Sequence, residues 1–151
     1  MRGPAGRAHP ALLYAEVVMG PIRTPFEIDP RYARILRLFG VRPGRAWIEL
    51  DARQLRVRFG FWRFETEVAN IGCVELTGPY SAVRAIGPHI SLADRGISFG
   101  TNTRLGVCVR LLRPVPGRET LGLVRHPGLT VTPVRPEAFA AALEAARDAA
   151  A

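Results

Sequence analysis

The stretch Ala46-Trp47-Ile48-Glu49-Leu50-Asp51-Ala52-Arg53-Gln54-Leu55-Arg56-Val57-Arg58-Phe59 decides the fold class. Apolar side chains recur at every second position on both sides of Asp51-Ala52-Arg53-Gln54, which is the period of a half-buried strand. Asp51 opens a turn, so the two runs form a hairpin. Pairing across that turn sets Leu50 opposite Leu55, Ile48 opposite Val57 and Ala46 opposite Phe59, all on one face directed to a core. The other face then pairs Glu49 with Arg56 as a salt bridge and Trp47 with Arg58 as a cation–π contact, each contributing about 0.2–1 kcal/mol.

Downstream, the alternation continues after Gly60 through Trp62, Phe64, Thr66 and Val68, and Ile71 to Leu76 reads as another strand. Thr77-Gly78-Pro79-Tyr80-Ser81 has turn chemistry and begins the longest polar connection. A second hairpin follows, with Ile90-Ser91-Leu92 and Ile97-Ser98-Phe99 joined by Ala93-Asp94-Arg95-Gly96. Its expected register puts Leu92 opposite Ile97 and Ile90 opposite Phe99. Gly106 to Leu112 is apolar on both faces apart from Arg110, the pattern of a central strand, and Pro114-Val115-Pro116-Gly117 ends it. Leu129 to Thr132 alternates as the last strand. Cys73 and Cys108 lie within these runs, without a C-x-x-C pair, and read as reduced core thiols.

Two helices complete the pattern. Asp29 is placed to cap a short helix that Pro30 opens, with Tyr32, Ile35, Leu36 and Phe39 on one face and Gly40 as the stop. Arg31, Arg34 and Arg37 fall on its opposite face. Pro136 opens the second, in which Phe139, Ala142, Leu143 and Ala146 form an apolar stripe. Residues 1–21 show no clean period and read as a loosely ordered arm before a single domain over 22–151. The apolar run Ala11 to Met19 is short and broken by Glu16, so neither a signal sequence nor a transmembrane segment is expected, and a cytoplasmic location follows.

With 151 residues and 48% hydrophobic content the chain is long enough to bury one core. The formal charge of +8 invites a polyanion reading. All 21 basic residues are Arg, however, and with abundant Ala, Gly and Pro that bias points to a GC-rich genome. Only clustering of the arginines on one surface would therefore be informative.

A meander of about seven short antiparallel strands followed by one C-terminal amphipathic helix resembles the pleckstrin-homology-like barrel, particularly its bacterial members. The resemblance rests on the hairpin Trp47 to Phe59, the strand Gly106 to Leu112 and the ending Leu129-Thr-Val-Thr-Pro-Val-Arg-Pro-Glu-Ala-Phe139. Gly87-Pro-His-Ile-Ser-Leu-Ala-Asp-Arg-Gly96 and Arg125-His-Pro-Gly-Leu-Thr-Val131 also look like uncharacterised proteins of GC-rich bacteria. It implies a mainly β, β-plus-α fold: one barrel closed by the C-terminal helix through Phe139 and Leu143. Phosphoinositide-binding members carry a basic loop between their first two strands; here that loop, Asp51 to Gln54, holds Arg53 beside an acid and departs from the pattern.

No catalytic constellation is visible. G-x-S-x-G and the phosphate-cradling G-x-x-x-x-G-K-[ST] are missing from the sequence. Asp94, Arg95 and Gly96 are what a tight turn demands, and His89 and His126, beside Pro or Gly, read as surface loop residues without metal-ligand spacing. No cofactor or metal is expected. The expectation is a non-catalytic binding or adaptor module for a protein partner or a second copy of itself. The rivals are an anionic-surface binder, with lipid or nucleic acid as target, and a carrier or enzyme with a cavity under the C-terminal helix. Arg31, Arg34, Arg37, Arg53, Arg56, Arg58 and Arg63 would serve the anionic surface, weakened by interleaved acids. Tyr80, Asn102 and Arg104 would contact a ligand at a loop mouth.

Overall fold

A computed structural model describes residues 20–91, 95–117 and 124–151. Its elements in chain order are β1 (Ile22–Pro25), a 3-10 turn (Pro30–Tyr32), α1 (Ala33–Leu38), β2 (Ala46–Leu50), β3 (Gln54–Phe59) and β4 (Trp62–Glu67). A second 3-10 turn (Val68–Asn70), β5 (Ile71–Thr77), α2 (Ala82–Ala85), β6 (Gly87–Ile90), β7 (Ile97–Gly100), β8 (Gly106–Pro116), β9 (Arg125–Val131) and α3 (Pro136–Ala150) follow. The fold is mainly β. The strands form two sheets, ordered β1-β2-β3-β4 and β5-β8-β9-β7-β6. The described strands number nine rather than about seven, they do not close into one barrel, and β7 with β9 is a parallel pair.

The β2–β3 hairpin has the register that its turn dictates, with Leu50 opposite Leu55, Ile48 opposite Val57 and Ala46 opposite Phe59. The Asp51 carboxylate accepts the Arg53 and Gln54 backbone N–H groups at 2.7 and 2.8 Å, fixing the turn. Phe64, Thr66 and Val68 bury the same face. At the Asp29 end, the carboxylate accepts the Arg31 backbone N–H at 3.0 Å, and Gly40 stops α1 with φ +73°. Leu36 is fully buried on that helix, whereas Ile35 is half exposed, so the expected apolar face is wider than the one the core uses.

The inner faces of both sheets and one side of α3 share one core. Phe59 stacks on Phe99 of the other sheet at 4.9 Å, and Phe139, Leu143 and Ala146 of α3 are buried in the same cluster. Between the sheets runs a polar seam: the Thr101 hydroxyl and the Asn102 side-chain amide both donate to the Glu27 carbonyl, at 2.6 and 2.9 Å. The Thr101 backbone N–H donates to the Thr132 hydroxyl at 2.9 Å. This seam satisfies backbone groups that a strand ladder does not reach.

Several sequence expectations change in the second sheet. The β6–β7 hairpin pairs Ile90 with Ile97 and Pro88 with Phe99, two residues from the expected register; Leu92, Ala93 and Asp94 lie outside the described residues, as do residues 1–19 of the expected arm. Strand β8 continues through Pro114 to Pro116, because a bulge after Arg110 lets the chain resume pairing with β9, and Asn70 substitutes for a strand neighbour by donating to the Arg113 carbonyl and accepting its N–H. His126 is not a surface residue: it lies fully buried in β9, with Nδ1 2.7 Å from the Arg95 carbonyl. His89 is half-buried, with Nε2 2.8 Å from the Ile86 carbonyl. Cys73 and Cys108 are free thiols but sit outside the core, on the face of the second sheet opposite buried Val74, Val107 and Val109. Among the described residues no helix is long and apolar enough to cross a membrane.

Candidate functional site

The outer face of the first sheet is a set of cross-strand rows, and the register fixes who meets whom. One row runs Arg23, Glu49, Arg56, Glu65 with alternating sign. Glu49 accepts from Arg23 at 2.8 Å and from Arg56 at 3.1 Å; Arg56 also reaches Asp51 at 3.3 Å and Glu65 at 3.7 Å. The Arg23 hydrogen bond, more than any other contact, holds the Glu49 carboxyl below its ordinary range. Burial alone would raise Asp51, but the two turn N–H groups and Arg56 outweigh it and leave that carboxyl lowered as well. Arg56 is thus committed to the fold.

The neighbouring row runs Pro25, Trp47, Arg58, Arg63. The expected Trp47–Arg58 contact is replaced: Arg23, from the strand that sequence periodicity did not reveal, lies 4.2 Å over the Trp47 ring. Arg58 instead donates to the Gly60 carbonyl at 3.4 Å. It faces Arg63 directly, and neither guanidinium forms an ion pair among the described residues. Like charges opposed across a ladder are destabilising unless something else neutralises them. Arg53 is exposed at the far turn.

Beside the Arg58–Arg63 pair lies one end of the molecule, built from the end of α1, the following turn and the β3–β4 turn. Gly60 makes this junction: its φ is +59°, and a Cβ there would stand 2.0 Å from the Phe39 carbonyl oxygen. The Phe61 N–H donates to that carbonyl at 3.2 Å. Phe39 contacts Trp62 edge-on at 5.7 Å. Outside this aromatic pair, Leu38 is 77% and Phe61 67% exposed, beside half-exposed Ile35. Arg34, Arg37, Arg42 and Arg45 project from the same helix and turn, all exposed. Residues 30–48 contain five Arg and no Asp or Glu, and of these arginines only Arg31 forms an ion pair among the described residues, with Asp29 at 2.9 Å.

The loop-mouth residues separate. Asn102 is buried and holds Glu27, as above, while Arg104 is exposed and reaches the Glu27 carboxylate at 3.3 Å. Tyr80 lies elsewhere, against the outer face of the second sheet, hydrogen-bonded to Thr77. Burial pushes its phenol pKa up, against the Thr77 hydrogen bond, so it stays neutral. Sequence reasoning missed Leu38 and Phe61 as a surface; the signal was an apolar residue in the tight Gly60-Phe61 turn, where polar residues are usual. No family model, curated protein or solved structure matches this chain.

Proposed function

We propose that this chain is a non-catalytic binding module that docks on an anionic phospholipid surface through the Leu38 and Phe61 end. The observation that carries this reading is the combination at that end: large apolar side chains exposed at the end of α1 and on the adjoining β3–β4 turn, framed by Arg34, Arg37, Arg42, Arg45 and Arg63, which have no acidic partner among the described residues. Exposed apolar clusters rimmed by cations suit the headgroup boundary, where the side chains leave water and each guanidinium near the surface gains about 1 kcal/mol. The arginines first expected to serve are redistributed: Arg31 and Arg56 are spent on local acids, while Arg42 and Arg45 join. Kinship with bacterial pleckstrin-homology-like domains belongs to the same proposal, supported by the C-terminal helix that fills the core after the last strand.

Co-sedimentation with vesicles containing phosphatidylglycerol, against pure phosphatidylcholine, tests it at low and physiological salt. Binding to the anionic vesicles alone is expected, falling with salt, and a Leu38→Ser/Phe61→Ser variant should lose about tenfold or more, given about 1.5–3 kcal/mol for burying each side chain fully. Equal binding by that variant, or indifference of the wild type to anionic vesicles, overturns the reading in favour of a protein partner.

A further inference from the structure

We propose that the outer face of the second sheet holds a groove for a small phosphate-bearing anion, seated on Ser98 and Thr130 between the guanidinium groups of Arg84 and Arg110. The register builds its floor. Cys108 of β8 faces Thr130 of β9, and Thr130 faces Ser98 of β7, so thiol and two hydroxyls lie in one row across three strands. In the next row Arg110 faces Gly128, where the missing side chain lowers the surface. A depression of about 400 Å³ results, lined by Ser98, Thr130, Cys108 and Arg110 among others.

The opposite wall comes from the connection before β6. Gly100 lets it close down: a Cβ at that position would stand 1.6 Å from the Ala85 carbonyl oxygen. Tyr80 lies over Gly106, whose added Cβ would stand 2.8 Å from the phenol oxygen. Between them is a smaller hollow of about 40 Å³ that Tyr80 and Arg84 line together with the same Ser98 and Thr130. The two hydroxyls therefore join both spaces, with one guanidinium on each side.

The chemistry of the lining selects the ligand. No Asp or Glu lines either space among the described residues; Glu75, which faces Cys108 from β5, stays outside the lining. Among the described residues neither Arg84 nor Arg110 forms an ion pair, in contrast to the acid-laced ladder on the first sheet. Two planar forks with hydroxyl donors between them fit a group with several terminal oxygens, such as phosphate. A volume near 400 Å³ leaves room for a small organic body attached to it.

Amide NMR titration with inorganic phosphate, at ionic strength held constant with chloride, tests the groove. Saturable shifts are expected at Ser98, Gly128 and Thr130, weakened about fivefold or more in Arg110→Gln and in Arg84→Gln. The Leu38→Ser/Phe61→Ser variant should titrate like wild type, which keeps this test separate from vesicle docking. Glycerol phosphate shifting the same amides identifies a soluble phosphomonoester as the source; a stronger response to phosphatidic acid vesicles identifies a lipid headgroup. Shifts that do not saturate, that fall on residues 34–63 instead, or that persist unchanged in Arg110→Gln overturn the proposal, and the spectrum itself reports whether each variant is folded.

Discussion

The two sheets bury similar inner faces and treat their outer faces in opposite ways. The first is a meander whose strands neighbour each other in sequence as in space, and its outer charges neutralise one another along the row Arg23, Glu49, Arg56, Glu65, leaving the opposed Arg58 and Arg63 beside the β3–β4 turn as the exception. The second threads β8 and β9 between strands made earlier, and its outer face offers hydroxyls, a thiol and arginines that form no ion pair among the described residues. Charge count alone does not separate a structural face from a binding one. What separates them is whether each arginine has an acid opposite it in the register.

The strongest way to break the comparison is to remove what both sheets share. Phe139→Asp with Leu143→Asp takes two buried side chains from the common core, costing about 1.5–3 kcal/mol each plus the desolvation of two carboxylates, against a total stability of about 5–15 kcal/mol. Loss of all tertiary signal by near-UV circular dichroism is expected. Melting of one sheet alone would show that the halves do not share a cooperative core.

A smaller effect distinguishes the halves through two glycines. Gly60→Ala combines a left-handed φ with a contact at 2.0 Å to backbone, and Gly100→Ala meets backbone at 1.6 Å without that φ. Both variants should lose on the order of 1–3 kcal/mol in denaturant melts. Only Gly100→Ala should lift the Ala85 wall that carries Arg84 and weaken phosphate binding. Equal loss of phosphate response in Gly60→Ala would mean that the two ends are not independent.

The smallest effect concerns the ladder. Glu49 and Asp51 have folded pKa values below their ordinary range, so their contribution to stability is present above that range and disappears as pH falls through it and then through the folded values. Glu49→Gln should lower the stability slightly at neutral pH, by about 0.2–1 kcal/mol per lost pair in denaturant melts, and flatten its decline between about pH 5 and 3, the carboxylate window. An unchanged acid limb would place the sensitivity in other carboxylates.

How far the fold can be read from sequence follows the same division. The β2–β3 register was legible because Asp51 fixes the turn locally. The β6–β7 register was not: a shift of two keeps every side chain on its face, so alternation cannot choose between Ile90–Ile97 and Ile90–Phe99. Pro127-Gly128 imitates a turn, which hid the strand that buries His126. Cys108 was correctly placed in a strand, but a strand apolar on both sides does not say which face is inner. At the sites, Arg58 and Arg63 were legible as charge, whereas Arg84 and Arg110 gain meaning only from strands far apart in sequence. Ile22–Pro25, with one apolar residue before Arg23-Thr24-Pro25, carries too little pattern to announce the edge strand that supplies Arg23 to Trp47.

The parallel pairing of β7 with β9 has a further consequence during synthesis. The four strands of the first sheet can pair as they leave the ribosome, since each finds its partner in the segment just made. Ile97, in contrast, waits for Leu129, and loop-closure entropy makes such distant pairings slow. Until β9 emerges, the β6–β7 hairpin presents an unpaired edge beginning at Ile97 and Phe99, a template on which nascent chains can associate. Expression at lower temperature or slower translation should therefore matter more for the yield of this protein than its final stability.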